Sequence, residues 1–357
     1  MMLPYLQNIC TKEGVITDMK TQNTIQNIID KNGIMVIDGS MSTALEHLGA
    51  DLNSKLWTAR ALAESPELVR QVHLDYFRAG ADCGITCSYQ ATIPGLMANG
   101  YTREEAERLI AKSVEIFIEA RQEWWETEGE KAGRAWPLCL AGIGPYGAYL
   151  ADGSEYRGHY GVSDDVLDQF HRRRMEILHE AGADLLLIET QPSLHEALLA
   201  ADIAEELGAD YWISFSCMDE KHICEGDLIR DCAKAFAKDH PHLQMIGVNC
   251  SKPVYIAGLI KELRIGLQQA QAEGGRMLPI GVYPNSGEEY DPVTKTWHGA
   301  GDAKSFGEYA YDYMKAGADA VGGCCTTVSS HVLQVIDSRN RFVSAGMHRE
   351  MLAVPGH

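Results

Sequence analysis

The sequence has no apolar run of the about 18 residues that a membrane-spanning helix needs. It also has no basic cluster: 31 Lys and Arg stand against 50 Asp and Glu, a formal net charge of −19. Binding to a phosphate backbone requires concentrated positive charge. Nucleic acid is therefore not an expected partner, and neither is an anionic membrane. Residues 1–31 lack the apolar core and small-residue cleavage site of a secretory signal. They contain acids and no Arg, unlike an organelle-directed leader, so a cytoplasmic address is expected. His73, His159, His171, His179 and His298 lack metal-site spacing and read as helix-surface or loop residues.

What is present is an apolar fraction of 45% in 357 residues, enough for two average domains or one large α/β barrel. One phrase recurs: Ala79-Gly80-Ala81-Asp82, Ala181-Gly182-Ala183-Asp184, Leu207-Gly208-Ala209-Asp210 and Ala316-Gly317-Ala318-Asp319. Each copy follows a helical pattern and precedes an apolar run. Glycine there suits the left-handed turn that closes a helix. A repeated helix-to-strand joint points to a repeated β/α unit.

Eight strands are expected at Ile34–Asp38, Cys83–Cys87, Leu138–Ile143, Leu185–Glu189, Tyr211–Cys217, Met245–Cys250, Leu278–Tyr283 and Ala318–Cys324. Near-continuous apolar runs suit parallel strands buried on both faces. Helix starts are marked by Ser65-Pro66, by the capping-box pattern Thr102-Arg103-Glu104-Glu105 and by Ser163. The expected architecture is a single (β/α)8 barrel over residues 32–345, with an extension at 1–31 and a tail at 346–357. A doubly wound sheet is the alternative, but Asp38-Gly39-Ser40-Met41 is not its phosphate-binding glycine turn.

Barrel active groups gather at the C-terminal strand ends. Those ends carry Asp38, Thr86, Glu189, Cys250, Cys324 and Cys325. Ten cysteines in a long chain without secretory features favour metal binding or catalysis over disulfides. Three thiolates from Cys250, Cys324 and Cys325 suit zinc and leave one tetrahedral position open, as in a catalytic site. A thiol entering that position would be deprotonated and remain nucleophilic, which suits alkylation of sulfur. Cys217, at the end of the fifth strand, is the rival fourth ligand of a closed structural site. Each cysteine taken alone also reads as a small core hydrophobe. Asp38 and Glu189 can cap helices or clamp an ammonium group. Trp57 and Trp297, near the expected mouth, read as packing or as an aromatic face for a cation.

Longer strings carry a family resemblance. They are Asp38-Gly39-Ser40-Met41-Ser42-Thr43, Ser88-Tyr89-Gln90-Ala91-Thr92, Gly144-Pro145-Tyr146-Gly147 continuing to Tyr156, Gly247-Val248-Asn249-Cys250, Tyr283-Pro284-Asn285-Ser286-Gly287-Glu288 and Gly322-Gly323-Cys324-Cys325. From Ile34 to Val335 the chain resembles the homocysteine S-methyltransferase family. The loop after the third strand resembles the branch that uses S-methylmethionine or S-adenosylmethionine rather than betaine. The resemblance implies a (β/α)8 barrel, Zn(II) on Cys250, Cys324 and Cys325, homocysteine as methyl acceptor and methionine as product. It places Asp38 and Glu189 at the homocysteine amino group, with Gly39, Thr58 and Thr86 near its backbone atoms. The implied partners are small molecules. Selenocysteine or selenohomocysteine as acceptor, and a noncatalytic zinc or redox-sensing thiol protein, are the alternatives.

Overall fold

The computed structural model describes residues 24–52, 56–291, 296–298 and 304–346. Eight parallel strands form one sheet: β1 Met35–Val36, β2 Cys83–Ile85, β3 Leu138–Ile143, β4 Leu185–Gln191, β5 Tyr211–Phe215, β6 Leu243–Asn249, β7 Ile280–Tyr283 and β8 Ala320–Val321. Neighbours follow chain order from β2 to β8, and β8 pairs with β1. Each strand precedes one helix of an outer ring: α1 Pro66–Ala79, α2 Arg103–Trp124, α3 Asp164–Glu180, α4 Leu194–Leu207, α5 Ile229–Phe236, α6 Pro253–Ala272, α7 Phe306–Ala316 and α8 Ser329–Ser344. The fold is the expected (β/α)8 barrel. β1, β2, β7 and β8 are shorter than their apolar runs, whereas β4 runs on past Glu189 to Gln191.

The seam between β1 and β2 is joined chiefly through side chains. Asp82 N–H donates to Val36 O (2.7 Å), and Val36 N–H donates to Asp82 Oδ2 (2.9 Å). Higher up, Ile85 N–H donates to Asp38 Oδ2 (2.9 Å). Asp38 therefore closes the barrel as well as standing at its rim.

The repeated phrase has a physical role at the opposite end. Gly80, Gly182, Gly208 and Gly317 all have positive φ, so a side chain there would strain the helix-closing turn. The following aspartates reach sideways to the neighbouring strand. Asp82 accepts from Val36 N, Asp184 from Cys139 N (2.7 Å) and Asp319 from Ile280 N (2.8 Å). Three repeats thus stitch the bottoms of adjacent strands.

The helix ends follow the local signals. Pro66 occupies the first turn of α1, where its missing N–H costs nothing. Thr102 and Glu105 form the reciprocal capping box of α2, satisfying two otherwise orphaned N–H groups.

A helix at Ile25–Asn32 buries Ile25, Ile28 and Ile29 among barrel-interior residues that include Met35, Leu138, Leu185 and Trp212. Burial of each isoleucine is worth about 1.5–3 kcal/mol as an upper estimate. The boundary expected after residue 31 falls inside this helix. The rest of the expected extension, and the tail from 347, lie outside the described residues.

His73 and His171 are fully buried, contrary to the expectation that they lie on helix surfaces or loops. Each falls on its helix's inward stripe: Val69, His73 and Phe77 on α1, and Leu167, His171, Arg174 and Leu178 on α3. His73 packs edge-on against Phe117 and near Phe77. His171 Nε2 lies 2.8 Å from Glu196 Oε1. His159 and His179 are exposed as expected. His298 and Trp297 have side chains outside the described set.

Candidate active site

The tips of β6 and β8 meet across β7. Cys250 N–H donates to Tyr283 O (3.3 Å), Cys324 N–H to Pro284 O (2.7 Å), and Ser286 N–H to Cys325 O (3.2 Å). Backbone leaving β7 therefore holds both cysteine loops. Gly322 has no room for a side chain, because a Cβ there would lie 2.8 Å from Ile37 O. The two glycines let β8 close against β1 and Thr327, which brings the thiol pair to the rim.

Among the described residues, Cys250, Cys324 and Cys325 form the one group of three or more potential metal ligands within mutual reach. Their sulfurs are separated by 2.9 Å (Cys250–Cys324), 3.5 Å (Cys250–Cys325) and 3.9 Å (Cys324–Cys325). With Zn–S bonds of about 2.3 Å, a tetrahedron has edges of about 3.8 Å. Two separations match this closely and the third is shorter. All three cysteines are free. Hydrogen bonds from Cys324 and Cys325 hold the Cys250 thiol well below its ordinary value, and the same contacts with Cys250 push both partners up. Three thiolates at this spacing require a cation, so the donor set fits a soft divalent metal. Cys217 is outside the group. Its backbone N–H donates to Ser251 Oγ (2.9 Å), and burial raises its thiol, with Cys224 and Cys232 nearby.

A cavity opens above these sulfurs. Gly39, Thr58, Thr86, Glu189, Cys250, Cys324 and Cys325 all line it, so seven of the eight expected site residues share one space. Asp38, the eighth, is buried and is not among the lining residues, although Gly39 beside it is. Its Oδ2 takes the seam bond from Ile85, and its Oδ1 has no hydrogen-bond partner among the described residues. Neither acid caps a helix. Glu189 Oε2 accepts from Tyr283 Oη (3.2 Å) and Asn249 Nδ2 (3.5 Å). Burial is the main cause that pushes Glu189 up to about 8, reinforced by Cys250 and Asp38. Asp38 is raised for the same primary reason. Two buried carboxyl groups, one with an unpaired oxygen, are of the type that suits a charged donor such as an ammonium group. Thr86 Oγ1 lies 2.7 Å from Ser88 Oγ, and Thr58 O accepts from Cys87 Sγ (3.3 Å). Trp57 lines the mouth.

Four contributors had no role assigned from the sequence, although Asn249 and Tyr283 were expected at strand ends. Asn249 bridges two strand ends, accepting from Thr190 N (2.8 Å) and donating to Thr190 Oγ1 (2.7 Å). Tyr283 holds Glu189. Tyr156 brings its hydroxyl 3.6 Å from Cys250 Sγ, and Glu155 lines the cavity beside it. Burial pushes Glu155 up to about 7. Each lies within or beside a string that carried the resemblance, which was the available signal.

The profile of the homocysteine S-methyltransferase family matches residues 35–338. The chain belongs to the homocysteine S-methyltransferase family. It is therefore of methyltransferase type. The chain is 48% identical over 314 residues to homocysteine S-methyltransferase YbgG of Bacillus subtilis, covering 88% of this chain and 96% of that protein. It is 42% identical over 317 residues to homocysteine S-methyltransferase of Escherichia coli, covering 88% and 98%. Among solved structures it is similar to the metallated form of the homocysteine methyltransferase MmuM from Escherichia coli, with TM-score 0.75, 37% identity and coverage of 88% and 99%. All eight expected site residues lie inside the span shared with the homocysteine S-methyltransferase profile.

Proposed function

We propose that the protein is a zinc-dependent homocysteine S-methyltransferase that takes its methyl group from a sulfonium donor, S-methylmethionine or S-adenosylmethionine. The observation that carries this reading is the meeting of Cys250, Cys324 and Cys325 beneath a cavity that also holds Glu189. A zinc ion held by these cysteines would supply the Lewis acidity that favours the thiolate of an incoming acceptor thiol at neutral pH. The named relatives support the acceptor, and a related protein is known in a metallated form.

The chain's own residues bind and orient. Asp38 and Glu189 take the acceptor's ammonium group, with Gly39, Thr58 and Thr86 around its backbone atoms. Asn249 and Tyr283 keep the Glu189 carboxylate aimed at the cavity. No Lys, Arg or His lines the described cavity wall, which suits a cationic donor. In the transfer, an electron pair of the acceptor sulfur forms the new S–CH3 bond. The donor's C–S bond breaks, and its sulfur leaves as a neutral thioether. Close confinement makes this an effectively unimolecular displacement. We place the reaction in the cytoplasm, with small molecules as the partners.

Purified protein incubated with homocysteine and each donor separately should form methionine. Cys324→Ala should lose retained zinc and turnover together. X-ray absorption at the zinc edge should show three sulfurs and one lighter atom, becoming four sulfurs when homocysteine is added. Turnover by metal-free protein, or four protein sulfurs from the start, would refute the proposal.

A further inference from the structure

The loop after β3 carries one carboxyl group, half-buried with one oxygen fully enclosed, that the acceptor site does not use. Its single-turn helix Ser154–Tyr156 places Tyr156 against Cys250 and Glu155 in the cavity wall. The turn is held from several sides. Ser216 Oγ, beyond β5, donates to Glu155 O (3.0 Å), and Ser154 N–H donates to Asp152 Oδ1 (3.0 Å). A Cβ on Gly147 would lie 2.6 Å from Glu155 N, so the loop doubles back only because that residue is glycine. The nearby cation Arg157 is directed elsewhere: its Nη2 donates to Ser154 Oγ (3.0 Å), and it is largely exposed.

Glu155 Oε2 is buried and has no hydrogen-bond partner among the described residues. A buried carboxylate oxygen left unpaired is costly unless a ligand completes it. The ligand it awaits carries positive charge and enters from the cavity. Acceptor ammonium already has Asp38 and Glu189. The remaining cation is the methyl donor.

We infer that Glu155 binds the α-ammonium group of a sulfonium amino-acid donor and so selects donors that are amino acids, an inference that rests on the reading under Proposed function. Charge decides between the donor's two cationic groups. The sulfonium loses its charge as the methyl leaves, so a carboxylate against it would stabilise the reactant more than the transition state. Ammonium keeps its charge throughout. A carboxylate there adds binding that is uniform along the reaction and slows nothing.

The test compares zinc-loaded wild-type and Glu155→Gln protein with two compounds. They are S-methylmethionine and 3-(dimethylsulfonio)propionate, which keeps the sulfonium and carboxylate but lacks the amine. The substitution should raise the KM for S-methylmethionine, and its Kd by calorimetry, about ten- to a hundredfold. The KM for homocysteine should stay within about twofold, which also shows that the variant is folded. Binding of the amine-free compound should hardly move, so the wild-type preference for the amine collapses. An unchanged donor KM, an equal loss for both compounds, a rise confined to homocysteine, or a wild type indifferent to the amine each overturns the inference. A wild type that forms no methionine from homocysteine and either sulfonium donor refutes the underlying function instead.

Discussion

His73 makes the stability of this barrel sensitive to acid in a way that can be isolated. Its ring is fully buried between α1 and α2, neither nitrogen has a hydrogen-bond partner among the described residues, and Phe77 and Phe117 flank it. Burial in this apolar setting drives its pKa from 6.5 down to about 3. The folded pKa is depressed, so the unfolded chain binds a proton more readily. Stability is fully present above about 6.5 and is lost progressively as pH falls towards about 3. At about 1.36 kcal/mol per unit, the loss attributable to His73 reaches ~3 kcal/mol by about pH 4. His73→Leu removes the titrating group while keeping the site apolar. Urea unfolding of metal-free wild type and variant, followed from about pH 7 to about pH 4, gives the pH dependence of the difference between them. That difference should shift by ~3 kcal/mol in favour of the variant as acid is added, whatever its value at neutral pH. Two stability curves that fall in parallel would show that the ring is solvated or partnered in solution, and the burial argument would fail.

Two further substitutions probe the site and its scaffold. A Cβ at Gly142 would lie 2.7 Å from Glu189 Oε1 and 3.0 Å from Ile85 Cγ2; Gly142→Ala should raise the homocysteine KM about tenfold while zinc content holds, and an unchanged KM would argue against Glu189 as an acceptor ligand. Glu196 Oε1 accepts from Tyr146 N (2.6 Å) and His171 Nε2 (2.8 Å), and Arg174 Nη2 donates to Gly144 O (2.7 Å). Removing that group in Glu196→Ala leaves buried Arg174 without the acid whose field favours its charge, so stability should drop by about 3 kcal/mol in urea unfolding, with faster proteolysis of the loop at 146–160; equal protection in both proteins would count against this anchor.

The thiol cluster was legible because strand ends are fixed by the barrel's periodicity. Once eight apolar runs are counted, β6 and β8 must be separated by one strand, and their cysteines must share a rim. The repeated glycine and aspartate were legible as joints, but the sideways reach of Asp82, Asp184 and Asp319 was not. It depends on which strand lies alongside, a relation between distant parts of the chain. Asp38 shows the same limit: its bond to Ile85 exists because β1 and β2 meet at a seam held largely by side chains. His73 and His171 were misplaced because histidine counts as polar in a helical pattern. Their spacing from Val69 and Leu167 put them on the apolar stripe, and the stripe prevailed. Glu155 lay in a loop, where no period marks which side chain turns inward. Its placement needs the missing side chain of Gly147 and the bond from Ser216.

Backbone strain is concentrated where function is proposed. Thr190, Cys250 and Thr326 each adopt positive φ, at 57°, 47° and 63°, a conformation that costs a non-glycine residue about 1–2 kcal/mol. They follow Glu189, Asn249 and Cys325, in the last residues of β4, directly after β6 and in the loop that leaves β8. Glycine would relieve each position, but a polar side chain is required at all three. Thr190 exchanges hydrogen bonds with Asn249, and Thr326 Oγ1 donates to Glu288 Oε2 (2.8 Å). Cys250 supplies a sulfur to the cluster. A left-handed residue turns the chain abruptly at the strand end, which lets neighbouring side chains address one cavity instead of alternating across the sheet. The strain is offset by bonds between the loops themselves, chiefly Cys250 N–H to Tyr283 O and Cys324 N–H to Pro284 O. A metal ion binding all three sulfurs would tie the same loops together again. The rim is therefore the part of the barrel whose local conformation depends most on metal, and its backbone amides should gain the most protection from hydrogen exchange when zinc is added.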